Sequence, residues 1–474
     1  MIECSFYIDG AWQAPASPRD AFPIVNPATE EVMGSVAMGA AQDIDRAVAA
    51  ARTAFPTYSL LPMQRRVELL ERLRQVYVEH YDEFARAVTR EMGAPCTMSR
   101  DEQAECGPGH IDATLAAARD FAFRSEPQPG HLLTAEPIGV CGLITPWNWP
   151  INQIFSKLAP ALLVGCTVVL KPSEQAPLSA RLLAQCIDEA GYPPGVFNLV
   201  YGDGPVVGHR LCEHPDVDMV SFTGSTRAGI SVAVAAAPTI KRVVQELGGK
   251  SPNLVFEGVD LPATIRRSLR KVFHNSGQSC NAPTRMLVER GIYEQAVHLA
   301  AEVTRDIRVG SPDTDGDVLG PLASRRQFDI VQAYIQAGID EGARLIAGGT
   351  GRPKGYERGF YVRPTVFADV RPGMRIEREE IFGPVLCMMP FDDEAHAIEL
   401  ANDTPYGLAA YVQCADPVVA QRVAARLRAG TVSINGVGQP YQMPFGGFKQ
   451  SGNGREWGRF GIQEFIEWKA INGA

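Results

Sequence analysis

The stretch Val217-Asp-Met-Val-Ser-Phe-Thr-Gly-Ser-Thr-Arg-Ala-Gly229 decides how the first half of the chain is read. Val217 to Phe222 read as a strand, and the residues from Ser225 onward read as a helix. Between them Gly224 lets the backbone come close to an anion, which would meet the unpaired N–H groups and positive end of the helix. Taken alone, the pattern also suits an ordinary Gly-Ser helix start. Four further runs extend it: Gly139 to Thr145, Thr167 to Leu170, Phe197 to Val200 and Val243 to Leu247, with helical stretches beginning near Ile151, Pro177 and Pro205. Apolar strands alternating with helices call for a parallel sheet covered on both faces. The expected fold class is therefore α/β, with a doubly wound nucleotide-binding unit whose ligand lies at the carboxyl ends of the strands.

Outward from this unit, residues 1–60 read as short strands followed by a helix from about Ala41, with Asp43 or Asp45 close to its start. Residues 62–92 read as a long amphipathic helix and its successor, with Val67, Leu70, Leu73, Val76 and Tyr77 at helical spacing. A second strand-helix alternation from Asn253 to about Asn435 predicts another α/β unit. Gly and Pro concentrate in 347–364 and 436–454, which read as loops.

The 474 residues suggest two to four domains, and 45% hydrophobic residues can fill several cores. With 54 acidic and 45 basic residues the net charge is −9, and no basic run favours nucleic acid. Met1-Ile-Glu-Cys-Ser-Phe lacks the basic and apolar regions of a secretory signal. The longest apolar run, Leu158 to Leu170, is broken by Pro160 and Gly165, so no membrane span is expected and the cytoplasm is the expected location. None of the ten cysteines has Cys-x-x-Cys spacing, so neither a disulfide framework nor a structural zinc is expected. Nine of them read as small buried hydrophobes.

Cys280 differs. It lies in Asn275-Ser-Gly-Gln-Ser-Cys-Asn281, a small, polar, Gly-containing turn that a substrate could reach, and Glu246 of Gln245-Glu-Leu-Gly-Gly-Lys250 is a carboxylate that could serve it as base. Lys171-Pro-Ser-Glu174 closes a strand; an acid there can accept both hydroxyls of an adenosine ribose and would repel a 2′-phosphate, which favours NAD over NADP. In Thr145-Pro-Trp-Asn-Trp-Pro150 the Asn148 amide can donate to a developing oxyanion, although Trp147 and Trp149 also suit core packing. Gly202-Asp-Gly-Pro-Val-Val-Gly208 is one residue too long for a dinucleotide fingerprint.

The ordered set Pro146-Trp-Asn148, Lys171-Pro-Ser-Glu174, Phe222-Thr-Gly-Ser225, Glu246-Leu-Gly-Gly-Lys250, Gly277-Gln-Ser-Cys280, Glu380-Ile-Phe-Gly-Pro384 and Pro444-Phe-Gly-Gly447 resembles the aldehyde dehydrogenase superfamily over nearly the whole chain. The resemblance implies three parts: an NAD-binding domain (1–119 and 138–249), a catalytic domain (250–450) and an oligomerisation arm (120–137 and 451–474). It implies that Cys280 adds to the aldehyde carbonyl, with the oxyanion held by the Asn148 amide and the Cys280 N–H. Hydride then passes to the nicotinamide, Glu246 activates the water that hydrolyses the thioester, and Glu456 relays protons. The cofactor would be held by Ile144, Thr145, Pro146, Trp147, Lys171, Ser173, Glu174, Gly204, Gly208, Phe222, Gly224, Ser225, Leu247, Gln327, Glu380 and Phe382. No metal is implied.

By the same resemblance the aldehyde tunnel is lined by Trp149, Asn152, Gln153, Ser156, Gln439 and Phe445, with Ser279 and Asn281 beside the nucleophile. So polar a lining favours a polar, aromatic or oxo-acid aldehyde over a fatty one, and the chain looks closest to bacterial semialdehyde and ω-oxo-acid dehydrogenases. No Arg stands among these positions to clamp a carboxylate, which leaves Arg285 or a loop residue. The C-terminal strand Phe465 to Ile471 would pair with another subunit's sheet in a dimer or tetramer, with Arg242 and Arg455 sharing the Glu467 carboxylate. Two alternatives remain: a CoA-acylating semialdehyde dehydrogenase, whose family members commonly lack the Glu at the position of Glu246, and a non-catalytic relative.

Overall fold

The structure, a computed structural model, describes residues 2–17 and 19–474. Five parallel strands, β1 (Val140–Ile144), β2 (Thr167–Lys171), β3 (Phe197–Leu199), β4 (Met219–Thr223) and β5 (Arg242–Glu246), form the middle of an eight-stranded sheet. Their spatial order is β5-β4-β1-β2-β3. The chain runs from β1 to one side and then returns to the other, so the strand order reverses between β1 and β4, where a crevice opens at the carboxyl ends. Every residue of β1, β2 and β4 is buried, which is why these strands read as continuous apolar runs. Antiparallel Phe6–Ile8 and Ala11–Gln13 extend the β3 edge, and Gly452–Asn453 pairs with β5. That last pairing puts part of the segment after 450 in the large sheet, against the last turn of the strand that carries Glu246.

The second sheet contains β6 (Pro252–Val255), β7 (Arg285–Glu289), β8 (Thr365–Ala368), β9 (Val385–Phe391), β10 (Ala409–Gln413) and β11 (Thr431–Ile434). These run parallel in the order β8-β9-β7-β6-β10-β11, and Arg344–Ala347 adds an antiparallel edge beside β8. A three-stranded sheet pairs Ile466–Asn472 antiparallel to His131–Pro137, with Arg124–Gln128 outermost. Ile466 is buried, yet Trp468 and Ile471 on the same strand are 48% and 40% exposed, so this edge strand presents apolar side chains that the chain itself does not cover.

The helix expected from Ala41 spans Ala41–Ser59. Asp43 is buried because its carboxylate accepts hydrogen bonds from the Ala16 and Ala40 N–H groups, both at 2.8 Å, which closes the helix start. The helix Pro150–Val164, with Pro150 in its first turn, lies buried beneath β1 and β2. It is too short to span a membrane, and no helix among the described residues is long and apolar enough to do so. None of the ten cysteines forms a disulfide.

Candidate active site

Cys280 sits in a turn between the helix Leu261–Phe273 and β7. Asn275 and Ser276, just before it, adopt positive φ angles of 53° and 55°, a strained conformation for residues with a Cβ. Tertiary hydrogen bonds hold it: Asn275 Nδ2 donates to the Asn148 carbonyl at 2.9 Å, Ser276 Oγ to the Gly320 carbonyl at 2.8 Å, and Ala323 N to Gln278 Oε1 at 2.9 Å. Asn148 is buried, and its Nδ2 donates to the Gln278 carbonyl at 2.9 Å, which leaves its second amide hydrogen free. The Asn148 amide and the Cys280 backbone are thereby fixed to the same turn.

Glu246 ends β5, buried, with neither carboxylate oxygen hydrogen-bonded. The turn after it lies directly against Cys280, because a Cβ on Gly249 would collide with the Cys280 carbonyl oxygen. Burial pushes the Glu246 acid well above the usual carboxylate range; the Glu456 charge adds to this, while Lys157 and Arg455 oppose it. Burial likewise pushes the Cys280 thiol up to about 12, with the Glu380 and Glu246 charges adding to it. In this state Cys280 is a thiol and needs a base. Behind Glu246, Glu456 accepts a hydrogen bond from the fully buried Lys157, whose ammonium also donates to Thr223 Oγ1 at 2.7 Å.

At the carboxyl end of β2, next to the crevice, Lys171 and Glu174 form an ion pair at 3.2 Å. The Thr145 hydroxyl is buried without a partner. Gly224 N donates to the Glu246 carbonyl at 3.0 Å, and Ser225 caps the helix Thr226–Ala236 by accepting from Ala228 N at 3.3 Å. Asp203 caps the turn 204–208 by accepting from Val206 N at 2.8 Å, which sets Gly204 and Gly208. Leu247 N donates to the Ser451 carbonyl at 2.9 Å, and Ser173 Oγ accepts from Gln175 N at 3.2 Å. Glu380 Oε1 accepts from Gly249 N at 2.9 Å, and burial lifts its acid to about 7. Phe382, at φ 58°, meets Trp147 edge-on with ring centres 5.5 Å apart. The Gln327 amide nitrogen donates to the Phe382 and Ile381 carbonyls at 2.8 and 3.2 Å, so Gln327 braces this strained turn.

A model of the aldehyde dehydrogenase family matches residues 12–471. The chain belongs to that family. The 3-succinoylsemialdehyde-pyridine dehydrogenase of a Pseudomonas species is 51% identical over 469 residues, covering 99% of this chain and 98% of that protein. The crystal structure of an aldehyde dehydrogenase from Bartonella henselae superposes with a TM-score of 0.98 at 48% identity, covering 100% of both chains. Aldehyde dehydrogenase C of Pseudomonas syringae, solved as a variant with NAD+ and octanal, superposes with a TM-score of 0.97 at 51% identity, covering 99% of this chain and 96% of that one.

In this aldehyde dehydrogenase a pocket of about 320 Å³ opens on Cys280 and is lined by Trp149, Asn152, Gln153, Ser279, Asn281, Gln439 and Phe445. Trp149 Nε1 donates to Ser279 Oγ at 2.8 Å, and Gln439 Nε2 to the Pro444 carbonyl at 2.8 Å. Asn152 Oδ1 meets His110 Nε2 at 2.8 Å; burial lowers His110 to about 4, so a neutral ring donates this bond. Ser156 is buried and turns its hydroxyl back to the Gln153 carbonyl at 3.3 Å, outside the pocket lining.

One sequence expectation needs correction. Arg285 cannot clamp a substrate carboxylate: it is fully buried, and its guanidinium is spent on Glu377 and on the Lys250, Leu400 and Ala401 carbonyls. Within this chain Glu467 pairs with Arg242 alone, at 2.6 Å, because the Arg455 guanidinium bonds the Gly447 and Gly454 carbonyls. Sequence reading also missed several residues. Asp101, Glu102, Glu105, Lys271, His274, Tyr441 and Trp457 also line the pocket, from segments far apart in sequence. Lys157 had a legible signal, the single charged residue in the helix Pro150–Val164.

Proposed function

We propose that the protein is an NAD-dependent aldehyde dehydrogenase of the hydrolytic type, working in the cytoplasm as a homodimer or homotetramer. The observation that carries this reading is the convergence on the Cys280 turn of the Asn148 amide, bonded to the Gln278 carbonyl, and of the segment after Glu246, whose buried carboxyl has no partner. The crevice residues fit a dinucleotide. Thr145 keeps a buried hydroxyl without a partner, Glu174 is a partly exposed carboxylate steadied by Lys171, and the helix after Ser225 starts at the strand ends. NAD, when bound, accepts the hydride that leaves the aldehyde carbon.

The chain's own residues supply the rest. Glu246 removes the thiol proton, and Cys280 Sγ adds to the aldehyde carbonyl to form a thiohemiacetal. Asn148 Nδ2 and the Cys280 N–H donate to its oxygen, holding the negative charge that makes loss of hydride feasible. The product is a thioester on Cys280. The Lys157-backed Glu456 carboxylate draws the thiol proton away from Glu246. Glu246, a carboxylate again, takes a proton from the water that attacks the thioester and returns it to the departing Cys280 sulfur, so the acid leaves with the thiol restored. Glu174 favours NAD over NADP, which is a weaker cofactor.

The preferred substrate joins an apolar or aromatic stem to a polar group. Trp149, Tyr441, Phe445 and Trp457 give the pocket an aromatic lining, while Glu102, Lys271 and His274 make it polar. The semialdehyde in the name of the Pseudomonas relative agrees with this; the octanal bound by the Pseudomonas syringae enzyme shows that a plain alkyl stem suits a related pocket. Assembly is supported by the apolar edge strand Ile466–Asn472.

The test is NADH formation against a panel of short, aromatic, ω-oxo-acid and long aliphatic aldehydes, beside Cys280→Ser, with NADP and CoA controls. Activity with NAD that needs no CoA and vanishes in Cys280→Ser is expected. A requirement for CoA would overturn the hydrolytic mechanism.

A further inference from the structure

The pocket around Cys280 has a side chamber. A cavity of about 150 Å³ lies between the helix Leu261–Phe273, strands β10 and β11 and the loop from Gly436. It shares Lys271, Asn281, Gln439 and Phe445 with the Cys280 pocket, so these four residues form the passage between the two spaces.

The chamber is basic, and its arginine is braced. Arg267 and Lys271 are one helical turn apart and both line it, whereas no acidic side chain does among the described residues. Arg267 Nη2 donates to Gln413 Oε1 at 2.7 Å; Gln413 Nε2 donates to Asn253 Oδ1 at 3.0 Å, and Asn253 Nδ2 to Ser268 Oγ at 2.9 Å. Gly436, at φ 81°, lets the loop lie flat on this arginine, since a Cβ there would stand 2.7 Å from Arg267 Cδ. Lys271 has no carboxylate within ion-pair distance, because nearby Glu102 is held by His274 at 2.9 Å. The Lys271 side chain remains open to solvent, so an incoming anion can reach it. The acidic residues Asp101, Glu102 and Glu105 line the Cys280 pocket but not the chamber. An anionic substrate tail is therefore turned away from one side and drawn to the other.

We propose that this chamber receives the distal carboxylate of the substrate, bound by Lys271 and Arg267, and that the substrate class is an ω-oxo carboxylate. The assignment rests on aldehyde oxidation at Cys280. Its test compares 6-oxohexanoate with hexanal, equal in length, for the wild type, Lys271→Met, Arg267→Met and Lys271→Arg with NAD. The ratio of kcat/KM for the oxo acid over hexanal should fall about tenfold or more in each methionine variant, mainly through KM, and recover in Lys271→Arg. An unchanged ratio, or a wild type that prefers hexanal about tenfold, overturns the proposal while leaving aldehyde oxidation intact. If the wild type turns over neither aldehyde, the oxidation reading fails, and calorimetric titration of adipate decides the chamber. Binding by the wild type that is lost in Lys271→Met supports it, and equal binding or none overturns it.

Discussion

Lys157 and Glu456, 299 residues apart in sequence, form an ion pair sealed from solvent directly behind Glu246. The two partners act on Glu246 with opposite sign: the Glu456 charge raises its acid and the Lys157 charge lowers it. Glu456→Gln removes a negative neighbour and should lower the Glu246 pKa, moving the acid limb of the kcat profile to lower pH. Lys157→Met should move it to higher pH. Both should cost about 3–5 kcal/mol of stability in denaturant titrations, since each leaves a buried charge unpaired. A shift of both limbs in the same direction would show that the pair does not tune Glu246.

The Cys280 thiol, pushed up to about 12 chiefly by burial, should be slow to alkylate in the cofactor-free protein. Its rate with iodoacetamide, followed by mass spectrometry, should rise about tenfold per pH unit from 7 to 9, because only the thiolate reacts. Glu380→Gln removes one of the charges that raise the thiol and should be labelled faster at pH 8. A rate that levels off near pH 7 would mean that another group lowers the thiol.

Asn148→Ala should reduce kcat by about 10²–10³-fold with little change in substrate KM, the signature of a donor used mainly by the developing oxyanion. It also removes the bond to the Gln278 carbonyl, so thermal unfolding should report a loss of about 1 kcal/mol. A fall in kcat matched by a large rise in KM would place Asn148 in ground-state binding instead.

Glu467→Lys should leave the isolated fold nearly intact. The Arg242–Glu467 pair is half exposed and worth under about 1 kcal/mol, and Arg242 keeps its bonds to the Glu464 and Ile466 carbonyls at 2.7 and 2.8 Å. The substitution should nevertheless shift light-scattering mass towards smaller assemblies and weaken NAD binding, because it places a new charge on the edge strand Ile466–Asn472. Unchanged mass and unchanged cofactor affinity would remove this strand from the assembly interface.

The strands carrying the cofactor crevice were legible because burial on both faces makes them continuous apolar runs, and all five expected strands appear within about two residues of their expected bounds. Cys280, Glu246 and Asn148 stood out as candidates because each stands in a short segment of unusual composition at a strand or helix end. Arg285 misled because a cation near the nucleophile in sequence reads as available. Only the packing of Glu377 and three carbonyls around it shows that its hydrogen bonds are used up.

By itself, the sequence determined the alternation of strand and helix, the turn chemistry and the reactive side chains, since these follow from periodicity and local composition. Tertiary structure alone decided which distant groups meet: Lys157 with Glu456 behind Glu246, His274 with Glu102 at the pocket, and the Arg267–Lys271 helix face with the Gly436 loop around one chamber. The physical reason is that pKa, charge pairing and cavity shape depend on through-space distance and on the exclusion of water, and neither is encoded by spacing along the chain.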